Sequence, residues 1–128
     1  MKYFLFALVF CLCSCIPWSK PANCANCKNG KFKTKVFGSN YFIERSGNMQ
    51  KEYSIHGKDT AISTLAVKWL DDCTYTLTPD EETRIRTKLP KNALITVHII
   101  STTSNSYEQT GTANFSDKIY TYHFFKIN

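Results

Sequence analysis

Hydrophobic and polar residues alternate with a period of two over most of the chain from Gly30 onward. The clearest stretch is Leu65–Thr78. Leu65, Val67 and Trp69 alternate with Ala66, Lys68 and Leu70; after Asp71-Asp72, Cys73, Tyr75 and Leu77 alternate with three threonines. An extended chain sends successive side chains to opposite faces, so this stretch predicts a β-hairpin with one buried face and a two-Asp corner. The same alternation marks Phe32–Val36, Tyr41–Arg45, Ile95–Ile100 and Tyr107–Phe115, with a bend or bulge expected at Gly111. In Met49–His56, Lys51, Tyr53 and Ile55 stand against Glu52, Ser54 and His56. Ile119–Ile127 is apolar on both faces and should be covered on both sides. Gly38-Ser39-Asn40, Ser46-Gly47-Asn48, Gly57-Lys58-Asp59 and Ser116-Asp117-Lys118 separate these runs, and such short connections require antiparallel neighbours.

One segment breaks the pattern. Thr78-Pro79-Asp80-Glu81-Glu82 offers a capping Thr, a Pro at the first position and acids at the positive end of a helix dipole. It predicts a short helix near 79–88, stopped by Pro90, with an irregular loop as the alternative. The fold expected is therefore all-β: an eight-stranded antiparallel meander forming a small closed or nearly closed barrel, with a two-sheet β-sandwich as the other solution. So many large side chains predict a mostly packed lumen with at most a shallow pocket, where Thr34, Ala61, Gly111 and Ala113 leave room near one end. Phe32, Tyr53, Trp69, Tyr75 and Tyr122 are the residues expected to line any ligand site.

The first residues read as a targeting segment. Met1-Lys2 is a minimal basic start, and the apolar run Tyr3–Leu12 has signal-peptide length, too short for a permanent span. In Leu12-Cys13-Ser14-Cys15, a Leu lies three residues before a Cys with small residues between, which resembles a bacterial lipobox and implies lipidation at Cys15. An ordinary secretory signal cleaved near Ala22 or Ala25 is the alternative. The expected organisation is a signal peptide over 1–14, a lipid-anchored tether over 15–29 and a single β domain over 30–128. The mature protein is then extracytoplasmic, with the outer membrane as the expected surface and a secreted or periplasmic form as the alternative.

Of the cysteines outside that signal and anchor, Cys24, Cys27 and Cys73 remain, an odd number for an oxidising compartment. Cys24-Ala25-Asn26-Cys27 has redox-motif spacing, but a strand pattern follows it where a helix N-terminus would be needed to lower a thiol pKa. No second pair at zinc-ligand spacing occurs. The expected role is structural, Cys27 or else Cys24 pairing with Cys73 to pin the N-terminal arm to the central hairpin.

Charge changes the picture little. The net charge of +6 is partly local, with Lys28, Lys31, Lys33 and Lys35 on one face of the first strand, and Arg is scarce. Anionic lipid or cell-wall polymer is a better match for such lysines than nucleic acid, for which no recognition motif accompanies the charge. His56, His98 and His123 fall in separate strands, no nucleophile elbow or phosphate loop is present, and adjacent Asp71-Asp72 suits a turn. No enzyme, metal site or cofactor is expected.

The lipobox, Asn29-Gly30-Lys31-Phe32 shortly after a Cys, Tyr41-Phe42-Ile43-Glu44-Arg45 and Val67–Leu77 together resemble a group of small bacterial envelope lipoproteins. The resemblance covers residues 12–78, and the C-terminal third as pattern. The name DNA topoisomerase IV is often transferred to that group, but one small extracytoplasmic domain has no room for a DNA-cleaving tyrosine domain, its Mg²⁺ carboxylates and a partner ATP site. Gly30-Lys31-Phe32 also resembles the Gly-x-Trp opening strand of lipocalins, with Phe in place of Trp. These resemblances imply an anchored barrel whose partners are the membrane, through Cys15, and a small apolar ligand. A module that docks on or inhibits another envelope protein is the alternative.

Overall fold

Two-residue turns set the architecture. Gly47 and Gly57 take φ of +60° and +63° at the first central position of their hairpins, a conformation that glycine adopts without a Cβ penalty. The computed structural model describes residues 22–128, so the signal segment and Cys15 lie outside the described residues. The strands are β1 (Gly30–Val36), β2 (Ser39–Ser46), β3 (Met49–His56), β4 (Asp59–Trp69), β5 (Thr74–Pro79), β6 (Ile95–Thr102), β7 (Ser106–Ala113) and β8 (Ser116–Ile127). Each pairs antiparallel with its neighbour in sequence, and β8 returns to β1, giving the closed eight-stranded barrel that the alternation predicts. The closing seam is short. Lys31–Lys33 pair with Phe125–Ile127, and beyond them the Thr34 hydroxyl donates to the His123 carbonyl at 2.7 Å.

A 3₁₀ turn over Ala25–Cys27 packs across one end, the base of the barrel. A Cys24–Cys73 disulfide ties it to the β4–β5 corner, where Asp71 Oδ1 accepts the Cys73 N–H at 2.9 Å. The arm is pinned to the central hairpin as expected, but through Cys24. Cys27 is a free, buried thiol: the 3₁₀ turn carries it under the barrel, where its carbonyl accepts a hydrogen bond from Arg45.

The single α-helix among the described residues, α1 (Glu81–Arg86), starts later than Thr78 would place it. Asp80 is its cap, accepting the Thr83 N–H at 2.8 Å, while Pro79 remains in β5 opposite Leu65. The helix covers an edge. β4 runs past the end of its pairing with β5, and α1 takes up the exposed groups: Thr83 Oγ1 accepts the Thr64 N–H at 2.9 Å, and Arg86 donates to the Ile62 carbonyl at 2.6 Å. Covering an edge in this way removes a template for unwanted strand pairing.

Candidate ligand cavity

The barrel interior divides into a packed base and an open upper half. Arg45, 1% exposed, occupies the base. Its guanidinium donates to the Cys27 carbonyl, to Gln50 Oε1 from Nε at 2.8 Å, and from Nη2 to the hydroxyls of Tyr75 at 2.7 Å and Tyr107 at 3.3 Å. Aromatic faces complete the enclosure, with Tyr75 centred 4.6 Å and Phe32 5.5 Å from the guanidinium carbon. A buried cation is tolerated only when its donors are satisfied, and here the planar fork meets four acceptors. Burial works to lower the Arg45 pKa, but the Tyr75 and Tyr107 oxygens outweigh it and hold it above its ordinary value. Burial pushes both tyrosine hydroxyls upward.

Two chains of hydrogen bonds lead upward from this base. Tyr75 donates to Gln109 Oε1 at 3.0 Å, and Gln50 Nε2 donates to Glu52 Oε1 at 2.8 Å. Above them opens a cavity of about 360 Å³. Its wall is largely apolar, from Val36, Ile43, Leu77, Ile95, Val97 and Phe124, and Tyr41, Tyr120 and Tyr122 also line it. Glu52 and Gln109 are the polar groups nearest its floor. Burial pushes the Glu52 carboxyl above the usual carboxylate range, against the opposing pull of the Gln50 hydrogen bond and the Arg45 charge. Thr34, Gly111 and Ala113 line this space and Ala61 does not, so three of the four small residues leave room at one end, but the room exceeds the shallow pocket expected. The reason lies in β3, whose inner face carries Gln50, Glu52 and Ser54 where large apolar side chains would fill the lumen.

Of the residues expected to line a ligand site, only Tyr122 lines this cavity. Phe32 and Tyr75 are buried in the packed base, where Phe32 meets Tyr107 edge-on at 5.1 Å. Trp69 packs against Tyr75 at 4.6 Å, near the base, and Lys28 lies over its ring. Tyr53 is on the outer face of β3, its hydroxyl 3.5 Å from Glu44 Oε2, because the alternation of that strand runs polar side inward. Arg45, Gln50, Glu52, Tyr41, Tyr107 and Gln109 were not singled out by the alternation. Among the described residues no cluster of His, Cys, Asp and Glu is arranged to hold a metal ion, and no helix is long and apolar enough to cross a membrane. Comparison with protein-family models, with curated proteins and with solved structures gives no match.

Proposed function

We propose that this protein is a lipid-anchored, extracytoplasmic barrel that binds a small apolar ligand in its upper cavity and performs no chemistry on it. The observation that carries the reading is the apolar-walled cavity of about 360 Å³, which falls at the small end of the range of about 300–1,000 Å³ typical of ligand pockets. A packed base with a satisfied polar network gives such a site a rigid floor. The Cys24–Cys73 disulfide is in keeping with an oxidising compartment, and the lipobox supports attachment through Cys15.

Titration with a neutral, environment-sensitive apolar dye tests the binding role. Saturable, micromolar binding displaced by small apolar molecules is expected; a linear, non-saturating signal would overturn it. Mass spectrometry of the mature protein tests the anchor. A diacyl or triacyl Cys15 is expected, blocked in Cys15→Ser, whereas an unmodified N-terminus downstream of Cys15 would reject it.

A further inference from the structure

The cavity contains one carboxyl group on a largely apolar wall, and its bonding is incomplete. Glu52 accepts a single hydrogen bond from the protein, Gln50 Nε2 on Oε1. Its second oxygen has no protein donor among the described residues. No buried side-chain oxygen or nitrogen among them lacks a partner, so this oxygen retains accessible surface, and Glu52 lines the cavity. Desolvating a carboxylate is costly, and a fold that needed only to fill this position would do so with an apolar side chain.

We propose that the cavity takes a small apolar amine, its ammonium seated on Glu52 and its body against the apolar wall. This rests on the cavity-binding reading above and names the class of ligand. An ammonium supplies the donor that the free carboxylate oxygen lacks, and a charge-assisted hydrogen bond is about twice as strong as a neutral one. The aromatic rings of Tyr41 and Tyr122 on the same wall are of the kind that attracts a cation more than an anion. Arg45 does not reverse this preference: it is enclosed below the floor, with its donors taken by Cys27, Gln50, Tyr75 and Tyr107. An acid of the same shape would bring a second negative charge against Glu52 instead of reaching that guanidinium.

Three probes with one body and different heads separate the possibilities: 2-phenylethylamine, 2-phenylethanol and phenylacetic acid, each competing with the neutral dye on the full chain at pH 7. The amine is expected to displace the dye at least tenfold more effectively than the alcohol or the acid. In Glu52→Gln, with the dye set to that variant's own affinity, the amine is expected to lose its advantage over the alcohol. Equal displacement by all three, or an amine preference that survives in Glu52→Gln, overturns the amine assignment and leaves the cavity reading intact. Failure of the dye itself to bind the wild-type chain overturns both.

Should Glu52→Gln fail to fold, acidification of the wild type gives the same answer. The groups facing Glu52 are Arg45 and Tyr41 from β2, Tyr75 from β5, Tyr107 from β7 and Tyr120 and Tyr122 from β8, so no second carboxyl and no imidazole lies among them. His56 and Asp59 pair at the β3–β4 tip above the site. Protonating Glu52 is expected to abolish the amine preference and spare the alcohol; a preference unchanged down to the acid limit of folding overturns the assignment.

Discussion

Ile43 and Glu52 are register partners across the β2–β3 hairpin, and both face the cavity. Because directly opposite residues share a face, the apolar side chain on β2 and the carboxylate on β3 enter the lumen together. The same rule pairs Arg45 with Gln50 one step nearer the base.

The first prediction concerns the cost of that carboxylate. Its pKa is raised in the folded protein, chiefly by burial, so between the unfolded and folded values the native state holds more protons. Stability contributed at Glu52 is therefore present below the unfolded value, about 4.3, and lost as pH rises through the folded one. Glu52→Gln is expected to be the more stable protein at neutral pH, with an advantage over wild type that shrinks on acidification. Urea melts of both proteins across pH measure this. A variant less stable at pH 7 would show instead that Glu52 serves to balance Arg45.

Arg45 is expected to be the least replaceable side chain of the base. Arg45→Met leaves the Cys27 carbonyl, Gln50 and two tyrosine hydroxyls short of a donor, for a loss of roughly 3–5 kcal/mol. Arg45→Lys recovers less than half, because an ammonium cannot reproduce a planar fork. Chemical denaturation monitored by Trp69 fluorescence checks both; a loss under 1 kcal/mol for Arg45→Met would contradict the role assigned to the network.

Non-reducing peptide mapping is expected to recover a Cys24–Cys73 linked pair and an unlinked Cys27. Burial pushes the Cys27 thiol up, so it should resist alkylation until the protein is unfolded. Cys24→Ser should cost about 4 kcal/mol in the chain-entropy model, given a sequence separation of 49. Rapid alkylation of Cys27 in the native state would contradict its placement under the barrel.

The barrel was legible in the sequence because short glycine turns and period-two runs leave an antiparallel meander little choice. The cavity was not, and β3 shows why. Tyr53 and Ile55 are its large apolar residues after Met49, and binary patterning points them inward, yet both lie on the outer face. The turn at Gly47-Asn48 overrides the pattern: with Ile43 inside, a two-residue connection brings Gln50 and Glu52 inside as well. That register follows from the turn length alone, which puts Glu52 on the same face as Ile43. The choice of Cys24 over Cys27 could not, since it depends on how a single 3₁₀ turn lies across the barrel base.

Filling the cavity tests the central claim most directly. Gly111 lies on its wall opposite Val97 and Tyr120, and a Cβ built there meets no atom within 4 Å, so Gly111→Leu would project its side chain into the open space. Titration of the neutral apolar dye against wild type and Gly111→Leu, with circular dichroism to establish that both fold, is the decisive measurement. The expected result is saturable binding to the wild type and at least a tenfold weaker signal in the variant. Undiminished binding to a correctly folded Gly111→Leu would place the dye on the outer surface, where Phe37 is 96% exposed, and would contradict a ligand-binding lumen.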